Sequence, residues 1–303
     1  MRKIGLLVFL LFIACITSNR CEATILDFNK LLQVDKENKN LKIQNLFQDS
    51  QGFIWVGTDH GLYQFDGFDF EKSIADSAKV KASISCIYQD KIQTIWVATE
   101  EGKLFRRRYD KFKEVSTPFH SAVKAIINRS NDELWIATYG EGIYSFKNDQ
   151  WKKLLSGDAQ FIYAMVITAD NKLLVGTDIG LLKYSKDNSF QLLNTKNGLP
   201  ENIVREVKLI DNSKAILGFE EAGICYMDIT TNRFSKPANL STWNLGAVNE
   251  INYSNNECWV GTEKNGMVSF STLKNGQIKF YNSTNGFEYT KIAYSIFDRE
   301  GNL

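Results

Sequence analysis

Two histidines in 303 residues, His60 and His120, set the first limit on the chemistry open to this chain. Nucleophilic and metal-assisted mechanisms usually lean on histidine beside a hydroxyl, thiol or carboxylate. His60 falls in a turn between strand-like runs and His120 in a loop, and the sequence shows neither a Ser–His–Asp arrangement nor a His-rich metal cluster. Carboxylates are the plentiful reactive type, and they recur at one place. Asp59, Glu100 with Glu101, Glu141 beside Tyr139, Asp178, Glu220 with Glu221, and Glu263 each follow closely on an apolar run. Asp in such positions has a plain explanation in turn chemistry. The sharper reading is a ring of acceptors that, with Tyr139 and His60, hydrogen-bonds the hydroxyls of a small molecule or oligosaccharide. Trp243, in Asn239-Leu240-Ser241-Thr242-Trp243-Asn244, adds a large aromatic with no evident packing duty. The ligand-contact candidates are therefore Trp243, Tyr139, His60, Asp59, Glu141 and Glu263. No catalytic residue, metal ligand or cofactor site is expected.

The elements that must hold these residues repeat. Ile54-Trp55-Val56-Gly57-Thr58 returns as Ile95-Trp96-Val97-Ala98-Thr99, Leu134-Trp135-Ile136-Ala137-Thr138, Leu173-Leu174-Val175-Gly176-Thr177, Ala215-Ile216-Leu217-Gly218-Phe219 and Cys258-Trp259-Val260-Gly261-Thr262. Each copy is preceded by an alternating strand-like run and followed, after a glycine, by another. A period of about forty residues with several short strands and no helical spacing is the mark of a four-stranded propeller blade. Trp55, Trp96, Trp135 and Trp259 are expected to fill the wedge between blades, and Gly57, Gly176, Gly218 and Gly261 to permit close approach beside them.

Composition excludes much else. Lys plus Arg (36) nearly balances Asp plus Glu (35), so bulk charge selects neither nucleic acid nor a membrane surface. Arg2 and Lys3, the apolar run Ile4 to Ile16, and the polar stretch ending Cys21-Glu22-Ala23 read as an export signal covering residues 1–23. That run is too short for a membrane-spanning helix, and no later one is long enough. An exported, periplasmic chain is expected from residue 24. Cys86, Cys225 and Cys258 lie in strand-like apolar runs without Cys-x-x-Cys spacing, and read as buried thiols.

The run Asp49-Ser50-Gln51-Gly52-Phe53-Ile54-Trp55-Val56-Gly57-Thr58-Asp59-His60-Gly61-Leu62 resembles the two-component regulator propeller repeat, and Asn197-Gly198-Leu199-Pro200-Glu201-Asn202-Ile203-Val204 resembles that family's interblade link. The resemblance spans residues 24–303. It implies the exported sensor region of a bacterial hybrid two-component system, often glycan-responsive, working by binding without chemistry. It also implies a dimer of propellers that biases a histidine kinase located elsewhere. Two rival readings stay open. One is an exported protein-interaction scaffold. The other is a carbohydrate-active propeller enzyme, which needs a carboxylate pair roughly 5–10 Å apart that the pattern does not single out. Asp49 and Gly52 are also one residue too far apart for a sialidase-type Asp box.

Residues 292–297 repeat the opening of a blade, and residues 25–42 resemble an outer strand. The expected fold is an all-β, seven-bladed propeller with six full blades and a truncated seventh, a fragment of a larger sensor with sheet edges left bare.

Overall fold

The computed structural model describes residues 41–66, 70–72, 82–108, 111–155, 161–184, 189–237, 245–273, 277–285 and 291–297. Over these the chain forms six four-stranded antiparallel sheets, each pairing its strands in sequence order. Blade one holds Ile43–Gln48, Ile54–Thr58, Gly61–Phe65 and Phe70–Lys72. Blade two holds Ile84–Gln89, Ile95–Thr99, Leu104–Arg108 and Lys111–Val115, and blade three Val123–Asn128, Glu133–Thr138, Gly142–Lys147 and Gln150–Leu155. Blade four is Ile162–Ile167, Leu173–Thr177, Leu181–Tyr184 and Phe190–Leu193. Blade five is Val204–Leu209, Lys214–Phe219, Ile224–Asp228 and Arg233–Ser235, and blade six Val248–Ser254, Glu257–Thr262, Met267–Ser271 and Ile278–Tyr281. First strands of successive blades adjoin one another, which makes them the inner wall of a propeller.

The core lies between blades. The second-strand tryptophan of one blade packs on the sheet of the next: Trp55 meets Phe112 edge-on at 6.0 Å, Trp96 meets Phe146 at 5.7 Å, and Trp135 meets Tyr184 at 5.2 Å. All three tryptophans are buried. Their polar edge is satisfied locally. The Trp55 Nε1 donates to Asp49 at 2.8 Å and the Trp96 Nε1 to Asp90 at 2.8 Å, while Trp135 uses Glu133 at 2.7 Å. Asp49 and Asp90 also accept backbone N–H groups of their own turns, so one carboxylate shapes the turn and fixes the indole. Two residues further along, the second strand approaches its neighbour closely. A Cβ added at Gly57 would stand 2.7 Å from Ile84 Cγ2, and one at Gly176 2.5 Å from the Val204 carbonyl. Cys86, Cys225 and Cys258 are buried and free.

Among the described residues there are six blades, not the seven expected. Residues 292–297 carry the text of an inner strand, yet they form none. They run as a strap along blade six: Ile292 N donates to the Thr262 carbonyl at 2.9 Å, and the Asn252 amide donates to the Ser295 carbonyl at 2.7 Å. Ile292 takes the place over Gly261 that Ile84 takes over Gly57, with an added Cβ 2.8 Å from its Cγ2. The physical reason is that a strand needs a laddered partner, and no described segment pairs with the strap as a second strand. The outer strand expected over residues 25–42 lies outside the described residues, apart from 41 and 42.

The indole of blade six is consequently less covered than those of blades one to three. Trp259 is only half-buried, stacks on Tyr281 of its own blade at 5.2 Å, and keeps a buried indole N–H without a partner among the described residues. Trp96→Ala is expected to cost about 3–5 kcal/mol, and Trp259→Ala clearly less. Urea unfolding of both variants measures the difference; equal losses would contradict this packing scheme.

Candidate functional site at the channel mouth

Five of the six second strands end on a buried threonine, and in four of them its hydroxyl locks the following turn. Thr58, Thr138, Thr177 and Thr262 donate their hydroxyls to the carbonyls of Gly61, Gly142, Gly180 and Gly266 at 2.7–2.9 Å. The residue after each threonine is thereby fixed at the same end of the propeller: Asp59, Glu100, Tyr139, Asp178 and Glu263, with Glu220 following Phe219. The second residue of each inner strand lies beside it. This places Lys124, Tyr163, Arg205 and Asn249 around the same mouth.

Tyr139 is the aromatic centre of the mouth. It is 38% exposed, its ring lies 4.6 Å from Phe161 and 5.9 Å from Tyr163, and the Lys124 ammonium sits 5.4 Å above it. Burial, and then the neighbouring Tyr139 and Asp178, push the Tyr163 hydroxyl above its ordinary pKa. Further round, Arg205 pairs with Glu220 at 2.6 Å, and Glu263 accepts from Asn249 at 2.9 Å and Lys291 at 2.7 Å. The Lys291 hydrogen bond is the main influence holding the Glu263 carboxyl below its usual range. A cavity of about 490 Å³ opens here between Glu220, Gly246, Glu263 and Asn265.

The other predicted residues are placed differently. Asp59 and His60 pair with each other at 2.9 Å, and Asp59 also accepts from Lys42 N at 3.0 Å. The hydrogen bond from His60 is the main reason the Asp59 pKa is lowered. Glu141 accepts from His120 N at 2.7 Å, so it ties its turn to the link between blades two and three. Trp243 lies outside the described residues. Lys124, Tyr163, Arg205 and Asn249 were not expected. Their signal is a polar or aromatic residue at the second place of inner strands that are otherwise apolar.

Deeper in the channel, Glu206 and Glu250 occupy the third place of adjacent inner strands, where blades three and four carry Ala125 and Ala164. Lys208, Glu250 and Asn252 line an axial cavity of about 560 Å³ with Phe47 and Phe297. Burial pushes Glu206 up to about 7 against the pull of Lys208. Burial first, and then repulsion from Glu206, raise Glu250 well above the usual carboxylate range. Among the described residues no group of three His, Cys, Asp or Glu side chains could hold a metal ion, and no helix is long and apolar enough to cross a membrane.

With this geometry in view, the comparisons with known proteins agree on architecture. Residues 38–60 match the family model described as two component regulator propeller. The chain thus carries the repeat of that family. A stretch of 117 residues is 32% identical to histidine kinase P4 of Formosa agariphila, covering 37% of this chain and 6% of that protein. The extracellular domain of a proposed hybrid two component system of B. thetaiotaomicron, BT4673, superposes with a TM-score of 0.73 at 19% identity, over 89% of this chain and 37% of that one. The corresponding domain of BT3049 gives 0.71 at 22% identity, over 86% and 38%. The chain therefore spans well under half the length of these relatives, and the solved structures bear on its fold alone.

The channel carboxyls generate a pH dependence with a definite sign. Because the folded-state pKa of Glu206 is raised from 4.5 to about 7, its folded form holds a proton that the unfolded chain releases. Stability is greatest below the unfolded pKa and falls as pH climbs through the folded one. Glu206→Gln is expected to flatten this loss and to gain on the order of 1–3 kcal/mol at alkaline pH. Urea midpoints of parent and variant across neutral pH measure it, and parallel curves would show that the group carries no such linkage.

Proposed function

We propose that this chain is the ligand-sensing propeller of an exported, periplasmic two-component regulator. It binds without catalysing a reaction and belongs to a larger sensor whose kinase lies in other segments or in a partner chain. The observation that carries this reading is the mouth built around Tyr139. A partly exposed aromatic ring, seated on Phe161 and Tyr163 and flanked by Lys124, meets a belt of carboxylates, amide and cations already held in place by one another. Such a surface stacks on the apolar face of a sugar ring while fixed polar groups meet its hydroxyls. The ligand class is an oligosaccharide, with Tyr139, Glu263 and Trp243 as contacts and Asp59, His60 and Glu141 at the rim.

Support comes also from the repeat match over residues 38–60 and from the extracellular placement of the propellers that this one resembles. For signalling, the ligand must bind more tightly to one arrangement of paired propellers than to another, since equal affinity shifts nothing. A homodimer supplies the two arrangements.

Heat-stability shifts of the purified chain across an oligosaccharide panel test the proposal. A saturable shift is expected with at least one member, and Tyr139→Ala should weaken that binding by at least about tenfold, or 1.4 kcal/mol, without lowering the unliganded midpoint. Absence of any shift would favour an interaction scaffold. Release of sugar from the same panel would overturn the non-catalytic assignment.

A further inference from the structure

The outer hairpin of blade two carries a charge pattern that no other described hairpin repeats. Its third strand ends Arg106-Arg107-Arg108 and its fourth begins Lys111-Phe112-Lys113. The strands pair with Arg106 opposite Lys113 and Arg108 opposite Lys111. Directly opposed residues share a sheet face, as do residues two apart along a strand, so these cations form a grid. It measures roughly 5 Å across the strands and about 7 Å along them. At the place of Arg106 and Lys113, blade one carries Gln64 with Glu71, blade four Lys183 with Gln191, and blade six Ser269 with Lys279. No other described strand pair sets like charges face to face.

Opposed like charges work against the hairpin that holds them. Their surroundings do little to neutralise them. The face they share is turned to blade three, since Leu104 on it joins the cluster of Trp96, Tyr144 and Phe146. Across that seam, among the described residues, Asp149 alone answers, bonding Arg106 at 2.9 Å. Asp132 is taken by Lys147 at 2.8 Å, and Asp90 by the Trp96 indole. Arg108, Lys111 and Lys113 are exposed and bond no carboxylate among the described residues. From blade three, Lys153 adds a further cation, 5.5 Å above the Tyr144 ring. Half-buried Trp151 stands opposite Phe146 on the same side, with its N–H given to the Ser116 carbonyl at 2.7 Å.

We infer that the outer seam between blades two and three is a docking surface, separate from the mouth, for a linear anionic polysaccharide. Its carboxylate or sulfate groups, recurring along the chain, meet Arg106, Arg108, Lys111 and Lys113. One anion is served by a single guanidinium fork, whereas cations repeated along a strand suit charges that repeat. Trp151 lends apolar ring surface beside the grid, and its N–H is already spent. Two other polyanions fit less well. Successive bases of a single-stranded nucleic acid call for successive stacking rings. A lipid surface calls for apolar side chains reaching outward, and none of the exposed large apolar residues lies on these two strands.

Alginate fragments, linear and uronate-rich, are the probe, with neutral dextran as the blank. Calorimetric titration of the chain at low salt is expected to show saturable binding of alginate and none of dextran. Added salt should weaken it severalfold by shortening the screening length. Lys113→Glu should weaken it at least about tenfold while raising the heat-unfolding midpoint, because a like-charged pair becomes an opposite one. Lys279→Glu makes the same change of charge at the matching place of blade six and should leave binding within about twofold. Lys111→Gln, which only removes a charge at an exposed position, should weaken binding severalfold and guards against misfolding of the charge reversal. Equal losses from Lys113→Glu and Lys279→Glu would reduce the effect to bulk charge and overturn the inference. Tighter binding of poly-glutamate or of phosphatidylglycerol vesicles would also overturn it, assigning the surface to an acidic protein or a membrane. Failure of alginate to saturate at low salt would do the same.

Discussion

The packing of one blade's second strand on the next blade's first strand is the contact on which the molecule depends. Each sheet alone has two faces to cover and cannot bury either against itself. A large side chain wedges the seam at one level, and a glycine or alanine closes it two residues further along, where Gly57 lies under Ile84 and Gly176 under Val204. Both requirements fall on the same five-residue strand. That is why the strand is the most constant text in the chain. The Asp49 and Asp90 carboxylates extend the constraint into the turn, because the acceptor of the indole N–H also caps the turn that precedes it.

Where this contact is altered, the seam is filled by other means. Leu174 leaves room that Lys183 crosses to reach Ile229 and Asn232, at the expense of burying an ammonium. Ile216 leaves room that Tyr226 fills in part. Trp259 keeps the wedge and has, among the described residues, only the strap of residues 291–297 beyond it. Departures from the repeat therefore gather in blades four to six.

Much of the architecture was legible in the sequence because the constraint is local. The apolar alternation, the tryptophan and the glycine mark the second strands of all six blades nearly to the residue. Residues 292–297 depart from expectation for an instructive reason. Their side chains are those of an inner strand, and Ile292 even takes the corresponding place over Gly261, but hydrogen-bond pairing belongs to two segments and cannot be read from one. The mouth was half legible. Turn residues such as Tyr139 and Glu263 stand out against their neighbours, whereas Lys124, Tyr163 and Arg205 hide inside strands whose apolar majority suggests core. Glu206 and Glu250 hide in the same way, and only aligning the strands by place exposes two carboxylates where blades three and four carry alanine.

The threonine that closes most of the second strands has a consequence for how such a protein can change over time. In four blades its hydroxyl, not the residue after it, secures the hairpin, so the turn does not depend on the type of the outward-facing neighbour. Those neighbours share one opening, and each can be exchanged among acidic, aromatic and amide types while the hairpin stays put. Recognition can thus drift or be re-engineered one position at a time.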